Sequence, residues 1–324
     1  MRNITKFREM GLLIFIVILS VFIQFKNPSF LSLENINDLL TNTAILSILA
    51  VGMMMVLLTA GIDLSIGSTL ALSGMTAALV VSKNPDVSPI LAILIGIAVG
   101  TICGMIVGFL ISILGVFPII ASLGMMNVFR GLTFMISGGK WVSAHQMSDS
   151  FKNIATSKIL GINTLIFIAI VIYILFYYFI NYTRTGRQIY AVGSNEASAK
   201  ISGINTKKTL WLVYTLMGAL AGLAGVLWVS KFASAQGDTA TGYELNVIAA
   251  CVLGGVSVAG GYGKVSGLLV GALLLGILNN ALPLINVSPF WQNAIQGVII
   301  LVAILMNAYV KRRATKENLM RRKI

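Results

Sequence analysis

Two short polar blocks interrupt long apolar runs and carry residue types that could do chemistry. The first block, residues 61–68, reads GIDLSIGS. A carboxylate between apolar runs is costly unless it is paired or wet, so Asp63 is a candidate to line a polar path. The block can also form a capped turn, because its glycines permit a chain break and Asp63 and Ser65 can bind the freed backbone amides. Both roles stay open for Asp63, Ser65, Gly67 and Ser68.

The second block, residues 184–209, reads RTGRQIYAVGSNEASAKISGINTKKT. A short helix can be capped here by Ser194 or Asn195 and stopped by Gly203 with Asn205. A basic, solvated connector would need no such signals. A capped helix held at a membrane surface between two spans offers a binding surface to another protein. The block therefore indicates a transporter driven by a separate soluble motor.

Further polar side chains fall inside apolar runs. Arg130 follows Asn127 within one such run and needs a partner, for which Asp63 or water is a candidate, unless it snorkels to an interface. Asn279 and Asn280 lie near the end of a later run, where their amides could meet a polyol or cap the end of a helix. We include these four residues in a candidate translocation path.

A glycine-rich stretch at residues 254–264 invites comparison with a phosphate-binding loop. It reads GGVSVAGGYGK and is followed by valine, whereas a phosphate loop needs Gly-Lys-Ser/Thr between a strand and a helix. The other segments supply no nucleotide site either. We therefore expect a tight turn, no ATP hydrolysis by this chain and no cofactor bound to it.

Composition places the chain in a membrane. Hydrophobic residues make up 57% of its 324 residues and charged residues 10%. Cys103 and Cys251 lie in apolar runs and His145 is the only histidine, so the sequence suggests neither a disulfide framework nor a metal or catalytic cluster. Runs of about 20 apolar residues can each cross roughly 30 Å of hydrocarbon. We predict an all-α polytopic bundle in one transmembrane permease domain, residues 1–324.

Ten spans are predicted. They lie near residues 11–25, 40–60, 65–82, 90–114, 117–137, 163–181, 210–230, 245–259, 265–282 and 291–310. The first follows basic residues as a secretory signal does, but the sequence Val21-Phe22-Ile23 at its end offers no small-x-small cleavage site, so we predict an uncleaved span. Two sets of five spans with opposite orientation permit an inverted repeat of two halves, although the halves show no convincing sequence similarity to each other.

The distribution of basic residues predicts the orientation of these spans. Sixteen Lys and Arg residues fall on the side that holds both termini, the 184–209 loop and the tail at 311–324, against six on the other side. The positive-inside rule places the first set in the cytoplasm, so a multi-pass protein of the cytoplasmic (inner) membrane is expected. The net charge of +13 is explained by this bias rather than by nucleic acid.

Glycines recur at helical spacing within two of the spans. Gly96, Gly100, Gly104 and Gly108 come every four residues, and the span at 210–230 holds a similar set at 218, 222 and 225. Smooth faces of this kind favour close packing between helices.

Three blocks together resemble the ribose-type sugar permeases of ABC importers. Residues 61–68 look like that family's GIDLSVGS signature, and residues 195–204 are similar to its N-E-x-A-A-R-x-S-G-I coupling segment. Residues 254–263 with Gly271 and the Asn279–Asn280 pair resemble its G-G-x-S-x-x-G-G…G…L-N-N stretch. The blocks are spread over residues 35–310, and their joint occurrence is highly specific.

The resemblance implies several partners and a role for the central loop. An ATP-binding cassette subunit would dock at the cytoplasmic face, a periplasmic or lipid-anchored sugar-binding protein would deliver substrate, and a second permease copy or paralogue would complete a dimer in membrane lipid. The implied coupling residues are Gly193, Asn195, Glu196, Lys200, Ser202, Gly203 and Ile204. Ala197, Ser198 and Lys200 depart from the usual pattern, and lysine at 200 cannot reproduce the bidentate geometry of arginine.

Other functions compete with a ribose- or xylose-type importer. Permeases for rhamnose or autoinducer-2 share the architecture, and branched-chain amino-acid permeases are more distant. An ion-coupled secondary transporter usually carries several ionisable residues within its spans, whereas Asp63 and Arg130 are the strong candidates here. An intramembrane enzyme would need a catalytic dyad at membrane depth.

Overall fold

The computed structural model describes residues 2–288 and, beyond them, residues 291, 294–295, 297–298 and 301–302. The α-helices in this part of the chain are α1 (Arg2–Lys26), α2 (Leu33–Leu58), α3 (Ile66–Lys83), α4 (Pro89–Ser112), α5 (Pro118–Ser137), α6 (Asp149–Thr156), α7 (Thr164–Tyr182), α8 (Arg184–Ser194), α9 (Glu196–Ile201), α10 (Thr206–Phe232), α11 (Tyr243–Leu253) and α12 (Val265–Leu284). Two short strands, β1 (Lys158–Ile159) and β2 (Ile162–Asn163), form an antiparallel hairpin with Lys158 opposite Asn163.

Seven of the described helices are long and apolar enough to cross a membrane, namely α2, α3, α4, α5, α7, α10 and α12. The prediction of an all-α membrane protein is confirmed, but the count of ten spans is not. The span predicted at 11–25 matches a shorter apolar helix, Met10–Lys26. The span predicted at 245–259 is α11, whose eleven residues reach only about 16 Å. Most of the span predicted at 291–310 lies outside the described residues.

The helices form a buried centre with a more exposed layer of helices around it. In α2, 89% of the most apolar 18-residue segment is buried, whereas the corresponding share is 22% in α5 and in α7. Helices α3, α10 and α12 are also largely buried, whereas α4 exposes most of its apolar surface. The apolar side chains of the outer helices therefore face hydrocarbon or another membrane subunit.

The glycine faces pack against each other, as predicted. A Cβ atom placed on Gly100 would lie 2.6 Å from the Cα of Gly222, and one on Gly104 would lie 2.9 Å from the Cα of Gly218. A second close approach joins α3 to α10, where a Cβ on Gly74 would lie 2.7 Å from the carbonyl oxygen of Gly225. The backbones of α4, α10 and α3 thus touch where any side chain would hold them apart.

Helix α3 begins part-way along α10 rather than at its end. Gly225 lies against Leu70, and Gly74 lies against both Gly225 and Val229, so the two helices run parallel in this register. With a rise of 1.5 Å per residue, the start of α3 at Ile66 lies about 20 Å from the start of α10. Helix α11 begins at the same depth, because Glu244 in its first turn lies against Gly67. Two helices therefore start in the middle of the bundle.

The two ends of the bundle are built from different segments. Helices α8 and α9, the 59–65 connection and the 254–264 turn meet at one end, called here the α9 face. The other end, the opposite face, holds the connection at residues 138–163, in which α6 packs on the end of α10. There the hydroxyl oxygen of Ser230 accepts a hydrogen bond from the amide of Ala155 at 3.0 Å. The central loop and the 254–264 turn, both predicted to be cytoplasmic, thus share one face, while its cytoplasmic assignment and the inversion of the two halves stay predictions.

Candidate functional site

The central loop folds into two helices rather than the single predicted one. Helix α8 is capped by Thr183, and α9 is capped by Asn195, whose side chain accepts from the amide of Ser198 at 2.8 Å. Asn195 is thus the cap, and Ser194 instead ends α8. Helix α8 buries Gly186, Ile189 and Val192 along one side. That three-residue spacing was the signal for α8, although its glycines lower the intrinsic helix propensity.

Helix α9 ends in a Schellman motif. Gly203 takes a φ of +79°, its amide donates to the carbonyl of Lys200 at 3.0 Å, and the amide of Ile204 donates to the carbonyl of Ala199 at 3.1 Å. Gly203 therefore stops the helix as predicted. The prediction for Asn205 is wrong, because its side chain accepts from the amide of Lys208 at 2.9 Å and so begins α10. An asparagine suits both ends of a helix, and only the fold decides which one it serves.

Helix α9 projects from its face of the bundle. Ala199 is buried, but the helix begins with the exposed Glu196 and ends with Ile201, which is 88% exposed. Lys200 and Ser202 are exposed as well. The acidic first turn and the basic last turn both stabilise the helix dipole. The exposed Ile201 at the end of the helix still offers an apolar contact to another protein.

Backbone contacts join α8 to the rest of the α9 face. A Cβ on Gly193 would overlap the carbonyl oxygen of Leu58 and would lie 2.9 Å from the amide of Gly261. The amide of Gly261 donates to the carbonyl of Leu58 at 2.9 Å, and Gly260 packs against Gly193. We call the set Leu58, Gly193, Gly260 and Gly261 the glycine junction. These contacts leave no gap between α8, the end of α2 and the 254–264 turn.

A tyrosine fastens α8 to the same turn. The hydroxyl of Tyr190 donates to the carbonyl of Gly263 at 2.7 Å. Burial, with a smaller contribution from Tyr262, raises the pKa of Tyr190 to about 12. The hydroxyl therefore remains protonated, and able to donate, throughout the physiological pH range.

The 61–68 block is a buried, capped turn. Asp63 is 2% exposed, and its Oδ1 accepts from the amide of Ser65 at 2.9 Å and from the hydroxyl of Ser65 at 2.6 Å. Ser68 in turn donates to the carbonyl of Ser65 at 2.8 Å. Ser65 satisfies no amide at the start of α3, so only the Asp63 half of the predicted capping is found. This geometry places the Asp63 carboxylate inside the turn.

The glycines of this block serve packing more than backbone freedom. The left-handed residue of the turn is Ala60, with a φ of +60°, rather than Gly61. A Cβ on Gly61 would collide with the hydroxyl of Tyr214, and one on Gly67 would lie 2.6 Å from the carbonyl oxygen of Ala240. These neighbours are far away in the sequence, which is why the sequence alone suggested a different reason for the glycines.

Arg130 is held by a loop instead of by Asp63. Its Nη1 donates to the carbonyl oxygens of Gly237 at 2.8 Å and Thr239 at 2.7 Å, in the connection between α10 and α11. The partner that the sequence requires is therefore this loop, and Asp63 as that partner is wrong. Asn127 is exposed one turn earlier on α5, where its amide donates to the carbonyl of Leu123 at 3.0 Å.

Asn280 ties two helices together. Its amide donates to the Asn35 oxygen at 2.9 Å, and the Asn35 amide returns a bond at 3.0 Å. Because α12 continues to Leu284, neither Asn279 nor Asn280 caps its end. Asn279 is half-buried beside this pair. The path residues named from sequence are thus not brought to one point: Asp63 and Asn280 serve different packing contacts, and Arg130 lies with the 237–239 loop.

Sequence reasoning missed two acidic residues that lie in or just after the loop holding Arg130. Asp238 and Glu244 are the groups whose charge acts on its guanidinium. Both follow the end of a long apolar run, where the polar stretch QGDTATGYE was available as a signal. Within the described part of the chain, no three His, Cys, Asp or Glu side chains converge on a metal-binding position.

Comparison with known proteins places the chain in a family. A family described as branched-chain amino acid transport system / permease component matches residues 35–304. The ribose import permease protein RbsC of Escherichia coli is 40% identical over 301 residues, covering 92% of this chain and 93% of the relative. RbsC of Bacillus subtilis is 42% identical over 299 residues, covering 92% and 91%.

A permease named for a different sugar is also similar. The L-arabinose transport system permease protein AraH of Escherichia coli is 34% identical over 301 residues, covering 93% of this chain and 90% of the relative. No solved structure gives a significant match. The matches span nearly the whole chain and include the blocks on which the resemblance rested. The chain therefore belongs to this family of transport-system permease components, and within it to the ribose-type ABC permeases.

Proposed function

We propose that this chain is the transmembrane permease subunit of an ABC importer that carries a monosaccharide of the ribose or xylose type across the cytoplasmic membrane. The observation that carries the proposal is the exposed, capped helix α9 joined to the core through the glycine junction. A transporter that draws its energy from its own ion sites has no need for such a projection.

The partners follow from the two faces of the bundle. On the cytoplasmic side, an ATP-binding cassette subunit would bind α9 through Glu196, Lys200 and the exposed apolar side chain of Ile201. A periplasmic or lipid-anchored binding protein would deliver sugar at the opposite face. The largely exposed apolar surface of α5 would face a second permease copy or paralogue, with lipid covering the outer helices. Both termini would lie in the cytoplasm, as the Lys and Arg bias predicts.

The mechanism is mechanical rather than covalent. When ATP closes the two motor domains, α9 is displaced, and the rigid contacts of the glycine junction move the end of α2 and the 254–264 turn. These two segments lead directly into the 59–65 connection and into α12. The permease pair would then change from an outward- to an inward-facing state, and the sugar would pass between the subunits without any bond being made or broken.

The substrate class rests on the relatives. The family description refers to branched-chain amino acids, but the similar permeases are named for ribose and L-arabinose, which are both five-carbon sugars. This favours a pentose over rhamnose or autoinducer-2, which remain the alternatives within the same architecture. An ion-coupled secondary transporter is the distant alternative.

Reconstitution with the partner subunits tests the proposal. The chain, its ATPase and its binding protein would be placed in proteoliposomes and assayed for uptake of labelled ribose, xylose, rhamnose and autoinducer-2. Glu196→Ala removes the charge at the start of α9, and Glu34→Ala is a matched control because Glu34 is an exposed glutamate in the first turn of α2 on the opposite face.

The outcomes separate the hypotheses. ATP-dependent accumulation of a sugar that is lost in Glu196→Ala and kept in Glu34→Ala supports both the importer and the role of α9. Equal uptake by both variants would refute the coupling role of Glu196 while leaving the importer class standing. Uptake that ignores ATP and follows a proton or sodium gradient would refute the importer.

A further inference from the structure

A polar site lies in the middle of the bundle, where α3 and α11 both begin. Glu244 stands in the first turn of α11, and Gly67 stands in the first turn of α3. A Cβ on Gly67 would lie 2.6 Å from the carbonyl oxygen of Ala240 and 2.8 Å from Oε2 of Glu244. The missing side chain at Gly67 is therefore what leaves room for the Glu244 carboxylate at this depth.

The carboxylate of Glu244 is only half-buried. Within residues 2–288 and the few described positions beyond them, it makes no hydrogen bond and no ion pair with a side chain. A carboxylate at membrane depth is costly unless it is wet or bound to something. Its partial exposure and its unused oxygens leave it able to accept hydrogen bonds from a bound molecule.

A cation lies on the same side of the bundle. Arg130 uses Nη1 to hold the carbonyls of Gly237 and Thr239, and in the described part of the chain its other guanidinium nitrogens donate no hydrogen bond. The next carbonyl of that loop, of Ala240, lies against Gly67 together with Glu244, so the loop holds Arg130 on the side of the bundle where Glu244 lies. Because the 237–239 loop fixes the guanidinium, its remaining N–H groups are oriented before any ligand arrives.

A carboxylate that accepts hydrogen bonds and a guanidinium that donates them together have the chemistry that recognises the hydroxyl groups of a neutral polyol.

We infer that Glu244 and Arg130 form a sugar-binding site in the translocation path, midway between the two faces. Glu244 accepts hydrogen bonds from two neighbouring hydroxyl groups of the sugar, and Arg130 donates to a third oxygen. The inference rests on the proposed function and deepens it, since it identifies the substrate contacts and adds Glu244, which no sequence motif singled out.

Alternative explanations of Glu244 predict different behaviour. If it only packed against Gly67, any side chain of similar shape would serve. If it bound a coupling cation, uptake would depend on that cation. A hydroxyl acceptor needs the carboxylate itself, because glutamine keeps one oxygen but replaces the second acceptor with a donor.

The test compares Glu244→Gln, Glu244→Ala and Glu244→Asp in the reconstituted complex, using the same four labelled sugars. Glu34→Gln is the matched control on the opposite face. We expect at least a tenfold loss of sugar uptake in the glutamine and alanine variants and a smaller loss in the aspartate variant. ATP hydrolysis stimulated by the loaded binding protein should stay within twofold of the unchanged complex, since α9 and the glycine junction are untouched.

The outcomes distinguish this inference from the proposed function. If the unchanged complex accumulates none of the four sugars with ATP, the proposed substrate class fails, and this inference fails with it. If that complex transports a sugar and Glu244→Gln does so equally well, the inference alone is overturned. Losses in the aspartate and alanine variants with none in the glutamine variant would assign Glu244 to packing, and a sodium requirement abolished by Glu244→Gln would assign it to a cation; both overturn the inference.

Discussion

Replacing Asp63 separates its two candidate roles, turn cap and charged path residue. Asp63→Asn removes the charge but keeps an Oδ1 atom that can accept from the amide and the hydroxyl of Ser65. Asp63→Ala removes the acceptor altogether. If the carboxylate serves the turn, the asparagine variant should fold and transport nearly normally and the alanine variant should not.

The expected magnitudes follow from the contacts. Ser65 is 1% exposed, so loss of the acceptor leaves two buried donors without a partner. Each buried group left unsatisfied costs about 1–3 kcal/mol, so Asp63→Ala should lower the free energy of unfolding by about 2–4 kcal/mol. Asp63→Asn weakens the two bonds but no longer buries a charge, and these effects oppose each other, leaving a net change of about 1 kcal/mol or less.

Two assays are needed on the same preparations. Thermal unfolding of the permease in lipid nanodiscs reports stability, and ATP-driven sugar uptake by the reconstituted complex reports function. Uptake by Asp63→Asn should stay within about threefold of the unchanged protein, a difference worth less than 1 kcal/mol. A stable, well-folded Asp63→Asn variant that transports nothing would refute this reasoning, because it would mean that transport uses the charge of Asp63.

Three further predictions concern packing and the coupling helix. Gly100→Ala should lower the free energy of unfolding by about 1–3 kcal/mol, because the added methyl group meets α10. Gly131→Ala, which adds its methyl group in open space, should leave the free energy of unfolding unchanged or raise it by up to about 1 kcal/mol. Thermal unfolding measures both, and equal effects would contradict the glycine packing. Asn35→Ala and Asn280→Ala should show a coupling energy of about 0.5–2 kcal/mol in a double-mutant cycle, and additive effects would argue against their pair. Gly203→Ala should cost about 1–2 kcal/mol at the left-handed position and increase amide hydrogen exchange across α9 without loosening the core; unchanged exchange would count against the Schellman end.

Features with a local cause could be predicted from the sequence. The apolar runs gave the membrane class, because length and hydropathy decide whether a helix can cross a bilayer. Asn195 and Gly203 marked the ends of α9, since a cap and a left-handed glycine act within four residues of their own position. Helix α11 was predicted as a span because its apolar run continues into the turn after it, and composition does not reveal where a helix stops inside a bundle.

Contacts between distant segments could not be predicted in this way. Arg130 binds carbonyls 107 and 109 positions away, and Asn280 pairs with Asn35 across 245 positions. A polar side chain inside a membrane must find some partner, so the sequence established the need for one, but which partner lies within 3 Å depends on how the helices pack.

By itself, the sequence determined an all-α membrane permease with a capped helix between two spans and glycine faces for close packing. Only the tertiary structure decided that Gly67 makes room for Glu244, that Arg130 is fixed by the 237–239 loop, and that Gly193 touches the end of α2. The physical reason is that periodicity, capping and hydropathy act along the chain, whereas a site is made by backbones that approach one another closely enough to bring distant residues together.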